Sequence, residues 1–136
     1  MGYGSWVMGK GEIGGIWMSG YKDLNVWRLG KEIAISIYKM TATGAFKSDF
    51  GLRDQMRRAA VSIPSNIAEG DERGTNKEGV RFLYIAKGSL AELQTQLTIA
   101  QEIGYIDSTT LQEMDKRCNQ LGKMIGSLIK SRTLNP

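Results

Sequence analysis

The sequence predicts an all-α protein, an antiparallel up-down four-helix bundle. Three observations carry that reading. From Tyr21 onward, apolar residues recur at three- and four-residue steps with almost no strand-like alternation. The periodic stretches number four and are joined by short glycine-bearing loops, which favour antiparallel neighbours. The 136 residues are 41% hydrophobic and 24% charged, enough for one soluble core and too short for two.

Residues 1–20 stand outside the pattern and are expected to form a glycine-rich disordered tail or an upstream extension, leaving 21–136 as the bundle domain. They concentrate glycine, with Trp6 and Trp17, at a density that opposes any regular element. Gly9, Gly11 and Gly14 spell a G-x-G-x-x-G, but no strand precedes it and no helix follows, so it is not read as a dinucleotide site. The segment also lacks the basic start and continuous apolar stretch of a signal peptide.

The first helix is predicted from about Asp23, its N-cap, to Thr41, with Leu24, Trp27, Ala34, Ile37, Tyr38 and Thr41 on the core face. Gly44 then breaks the chain into a loop. The second helix should run from Phe50 to Glu69 on Leu52, Met56, Ala59, Ala60, Ile63 and Ile67. Pro64 should kink it near Ala60–Ser62 rather than end it, because Ile67 resumes the face; Gly70 is expected to terminate it. Thr75 and Glu78 form a capping box that opens the third helix. Phe82, Ala86, Leu90, Leu93, Leu97 and Ala100 carry its face to Gly104. The fourth begins after Asp107 or Ser108 and repeats strictly through Leu111, Met114, Cys118, Leu121, Ile125 and Leu128.

Composition excludes much chemistry. With no histidine and one cysteine, the chain has no internal disulfide, no histidine-based metal site and no Ser-His-Asp or Cys-His arrangement. No catalytic residue, metal or cofactor is assigned, and the protein is expected not to be an enzyme. Glu69 and Glu92 holding a divalent metal is a remote third option. No apolar run reaches the length of about 18 residues that a membrane span needs, and cysteine usage suits the cytoplasm.

Two polar features remain. Arg58, Ser62, Asn66 and Glu69 on the second helix, with Ser89 and Glu92 on the third, read as a hydrogen-bonded seam fixing register or a subunit interface, with Arg58 paired to Glu92 or Glu69. Arg58→Ala is therefore expected to damage folding or assembly. The formal net charge is +4, and Arg53 with Arg57, then Lys77 with Arg81, each share a helical face at i,i+4. These four are the candidate nucleic-acid contacts, through phosphate and with little sequence preference. Gly79 and Gly88 are expected to permit close helix approach, and Cys118 to be a buried thiol.

The stretch RRAAVSIPSNIAEG at 57–70, preceded by Gln55 and followed by RFLYIAKGSLAELQTQL at 81–97, resembles a family of bacterial four-helix-bundle proteins. These are typified by open reading frames in the intervening sequences of large-subunit ribosomal RNA genes. YKDLNVWRLGKEIAISIY at 21–38 and IGYID at 103–107 fit the same pattern, so the resemblance spans about residues 21–131. It implies an up-down bundle, commonly a homopentamer, with no established enzymatic activity and a ribosomal-protein label inherited from gene location. A more distant likeness is to the accessory subunit of diversity-generating retroelements, a basic pentamer that engages a reverse transcriptase and nucleic acid. Arg57, Arg58, Ser62, Pro64, Asn66, Glu69 and Gly70 match the family's signature helix, and Ser89 and Glu92 its third-helix motif, without a demonstrated role for any of them.

The sequence thus leads to a non-enzymatic cytoplasmic oligomer that presents basic residues to RNA, a ribonucleoprotein or a reverse-transcriptase-like partner. The rival is a protein-binding scaffold whose basic residues are only solvated surface.

Overall fold

In the computed structural model, residues 20–134 are described, and four helices account for nearly all of them: α1 (Asn25–Thr41), α2 (Phe50–Glu72), α3 (Asn76–Glu102) and α4 (Ser108–Leu134). Two 3-10 turns, Gly20–Asp23 and Gly44–Lys47, complete the elements, and no strand occurs among the described residues. The expected tail over residues 1–20 lies outside them but for Gly20. Each helix runs antiparallel to the next, and α4 returns against α1, where Arg117 donates to Ser36 Oγ at 2.8 Å. No described helix is long and apolar enough to cross a membrane.

The core follows the predicted periodicities closely in the last three helices. Met56, Ala59, Ala60, Ile63 and Ile67 of α2 meet Leu83, Ala86, Leu90, Leu93 and Leu97 of α3, with Met114, Cys118, Leu121, Ile125 and Ile129 of α4 behind them. Burying each large aliphatic side chain stabilises the fold by about 1.5–3 kcal/mol. The α4 seam ends on Ile129, while Leu111 and Leu128 are half-buried at its margins. Helix α1 departs further from expectation. Its buried face is Val26, Gly30, Ile33, Ala34, Ile37 and Thr41, whereas Tyr38 is 45% exposed. Tyr38 lies outside that face, with its ring under the Arg57 guanidinium of α2.

The helix ends correct several expectations. The N-cap of α1 is Leu24, not Asp23, and no side chain caps it; the preceding 3-10 turn takes the place of a cap. Helix α2 does run through Pro64, as expected, but also through Gly70, which is buried inside it. A Cβ on Gly70 would stand 2.7 Å from Cβ of Phe82 and 3.3 Å from the Gly79 carbonyl oxygen. That glycine is where α2 and α3 touch backbone to backbone; the stop is Gly74, at φ +83. Gly88, by contrast, faces open space and brings no helix closer.

At α3, the Thr75 hydroxyl accepts from the Glu78 amide at 3.2 Å, but the Glu78 carboxylate turns outward to Arg81 instead of closing the capping box. Its far end is a Schellman turn on Gly104: the Tyr105 amide donates to Ala100 O at 2.8 Å and Gly104 to Gln101 O at 3.0 Å. Asp107 caps α4 by accepting from the Thr110 amide at 2.8 Å. Asp49 does the same for α2 from Leu52, and also accepts from the Tyr105 hydroxyl at 2.8 Å. That hydroxyl ties the α1–α2 and α3–α4 connections together at one end of the bundle.

Candidate nucleic-acid interface

Helix α2 carries Phe50, Arg53, Arg57, Val61 and Pro64 on one stripe, at steps of three and four residues. The stripe faces α1. There the Arg57 guanidinium donates to the Thr41 hydroxyl at 2.8 Å and to the Tyr38 carbonyl at 3.3 Å, and lies 4.5 Å from the centre of the Tyr38 ring. Thr41 is fully buried and passes its own proton to Ile37 O at 2.7 Å, so the hydroxyl is satisfied on both sides. One turn away, Arg53 stacks over Phe50 at 4.6 Å and pairs with Asp54 at 3.1 Å. At the other end of α1, the Lys31 ammonium sits 5.1 Å over Trp27. Between these pairs lies an open apolar groove of about 440 Å³, lined by Ala34, Ile35, Tyr38, Val61 and Pro64 with Lys31 and Lys39 at its rim. No acidic side chain lines it.

The second predicted basic pair is elsewhere. Arg81 pairs with Glu78 at 3.3 Å and, with Arg73, covers the ring of Phe82 at 4.6 and 4.9 Å; Lys77 is exposed beside them. Because Gly70 sits opposite Gly79, Arg81 lies about 16 Å along the bundle from Arg57, at 1.5 Å per residue. One chain therefore presents two basic regions, not one patch.

The polar seam is smaller than the sequence reading made it. Ser62 Oγ and Ser89 Oγ share a hydrogen bond of 2.9 Å across α2 and α3, and the Asn66 amide donates to Ser62 O and Oγ at 2.8 and 2.9 Å. Those three residues form the seam. Arg58, Glu69 and Glu92 are exposed, and Glu69 pairs with Arg73 one turn along α2 rather than with Arg58. The i,i+4 partner wins because Arg58 lies three turns, about 16 Å, away along the same helix. Among the described residues, no side chain pairs with Arg58. The α2–α3 register also puts Glu69 and Glu92 about 18 Å apart along the axis, too far to share a metal. Among the described residues, no group of three or more acidic or cysteine side chains is arranged to hold one.

Sequence reasoning missed Lys31, Tyr38 and Phe50 as surface residues, whereas Trp27 packs half-buried against the core as expected. The pairs Trp27–Lys31 and Phe50–Arg53 are four and three residues apart, a signal that was there to read. Tyr38 with Arg57 joins two helices and left no such mark.

A family model for the 23S rRNA-intervening sequence protein matches residues 22–127, most of the chain, from before α1 into α4. The chain belongs to that family. A crystal structure of a protein of unknown function from the S23 ribosomal protein family of Bacteroides thetaiotaomicron VPI-5482 has the same fold. Its TM-score is 0.72 at 22% identity, covering 77% of this chain and 95% of that one. No curated protein is significantly similar. For this intervening-sequence protein, then, the comparisons fix the family and the bundle.

Proposed function

We propose that this protein is a non-enzymatic cytoplasmic accessory factor that assembles as a homo-oligomer and holds RNA or a ribonucleoprotein through basic surface residues. One observation carries the reading. Lys31 and Lys39 rim a groove lined by no acidic side chain, and Arg57 and the Asp54-paired Arg53 continue the same seam along α2. Phosphate attracts such a surface without regard to sequence. The family takes its name from intervening sequences of the 23S rRNA, which makes RNA the first partner to test. Lys77 and Arg81 supply a second basic region, and assembly multiplies both around a symmetry axis.

A second surface supports assembly and equally a protein-binding scaffold. Ile85 and Ile99 of α3, and Ile103 just past its end, are 41%, 47% and 53% exposed on one flank. Another copy of the chain would cover them, five copies being what the family resemblance implies; in the scaffold reading the cover is another protein. Size-exclusion chromatography with light scattering and a 260/280 nm absorbance ratio, at low and high salt, separates the readings. An oligomer carrying nucleic acid that high salt strips away supports the proposal. A clean protein at both salts moves the weight to the scaffold.

A further inference from the structure

We propose that the α1–α2 face is a stacking platform for single-stranded nucleic acid, with Tyr38 and Phe50 as the rings on which bases lie and Trp27 as the far end of the strip. The inference rests on the nucleic-acid reading above and names the strand class and the residues. Three aromatic side chains occupy this one face, and each has a cation over its ring: Lys31 on Trp27, Arg57 on Tyr38, Arg53 on Phe50. Tyr38 is 45% and Phe50 60% exposed, so those two rings are open to a ligand, while Trp27 is half-buried with the Tyr21 ring edge-on to it at 5.2 Å.

Geometry sets the strip. Trp27 and Tyr38 are about 16 Å apart along α1, and Phe50 lies about 10 Å beyond Tyr38, judged from its offset from Arg57 on α2. The apolar groove fills the longer interval, floored by Ala34 and Pro64 with Ile35 and Val61 on its walls. Arg57 is fixed in place by two hydrogen bonds to α1, so the Tyr38–Arg57 platform exists before any ligand arrives. Those bonds occupy Nε and Nη2 and leave further guanidinium protons to reach a phosphate.

A base stacks on such a ring only if its own face is free. In a duplex the faces are covered by neighbouring pairs, and the backbone alone is offered. In a single strand they are available, and aromatic side chains flanked by basic ones hold successive bases without choosing among them. A plain phosphate-binding surface has no use for three rings at these places, which separates this inference from the general one.

The test compares fluorescence-anisotropy titrations of a labelled, unstructured 20-nucleotide RNA and the corresponding RNA duplex at fixed salt. The full-length protein is set against Tyr38→Leu and Phe50→Leu, which keep apolar bulk and net charge. Phe50 opens α2 and is mostly exposed, so its variant folds even if Tyr38→Leu loosens Arg57. The platform predicts tighter binding to the single strand. It also predicts about a tenfold loss of that binding in each variant, with duplex binding, salt dependence and oligomer mass unchanged. Equal binding of strand and duplex, or variants that bind like the parent, would overturn the platform and leave the phosphate reading standing. Variants that change the oligomer's mass instead would assign the face to contact between copies. Failure of the parent to bind either RNA would remove both proposals.

Discussion

Gly70→Ala tests the α2–α3 contact on which the bundle's register depends. The new Cβ would lie 2.7 Å from Cβ of Phe82, 3.3 Å from Gly79 O and 3.4 Å from Gly79 Cα. Carbon atoms settle at about 3.5–4.0 Å, so the first contact overlaps by about 1 Å. None of the three atoms can swing away, since each is main chain or Cβ, and the helices themselves must part. Overpacking of this kind costs about 1–3 kcal/mol, here toward the upper end. Alanine returns about 1 kcal/mol of helix propensity, leaving a net loss of about 2 kcal/mol. With a urea slope of about 1–2 kcal/mol/M for a chain this size, the midpoint followed by helical circular dichroism should fall by about 1–2 M. Gly126→Ala is the control: its Cβ meets nothing within 4 Å, and it should raise the midpoint by about half a molar. If both variants raise the midpoint alike, α2 and α3 do not touch at this point and the register is wrong.

Three further outcomes are expected. Arg132 reaches from the end of α4 to Asp71 on α2 at 3.1 Å, with the two side chains only 20% and 15% exposed. Removing either partner should cost about 1–2 kcal/mol, and a double-mutant cycle should show the two losses to be coupled rather than additive. The Leu52 amide and then the Tyr105 hydroxyl hold Asp49 below the ordinary carboxylate range, as the Thr110 amide and hydroxyl hold Asp107. The hydrogen bond to Asp49 pushes Tyr105 above its usual value. Depressed carboxylates stabilise above their unfolded pKa, and a raised phenol below its own. Urea midpoints should therefore decline as pH falls through about 4 and again as it rises past about 10, with Asp49→Asn flattening the acid limb and Tyr105→Phe the alkaline one. Burial first, and then the charge of Asp115, pushes the Cys118 thiol up to about 12. A colorimetric disulfide reagent should find no reactive thiol in the native protein and one per chain after unfolding.

Most of the fold was legible because helical periodicity reports burial directly. In α3 and α4, one side of the helix is core and the other is water, so Phe82 to Ala100 and Met114 to Ile125 declared themselves. Helix α1 was harder: Tyr38 sits at a core-like spacing, yet its ring lies on the surface under Arg57. Gly70 shows a second limit. A glycine near a helix end reads as a stop, and only the neighbour's backbone reveals it as a contact. The candidate site was legible in part, since Arg53 and Arg57 stand out by charge. Of their aromatic partners, Phe50 is marked by its three-residue spacing from Arg53, whereas Tyr38 meets Arg57 only across two helices.

The most direct test of nucleic-acid binding is the salt dependence of affinity for a single-stranded RNA, parent against an Arg53→Gln, Arg57→Gln double variant of matched thermal stability. Each phosphate contact to a single strand contributes about 0.7 to the slope of log affinity against log salt. The account predicts weaker binding at low salt and a slope shallower by about 1.4 in the double variant. Unchanged affinity and slope would mean that the seam between α1 and α2 does not meet phosphate.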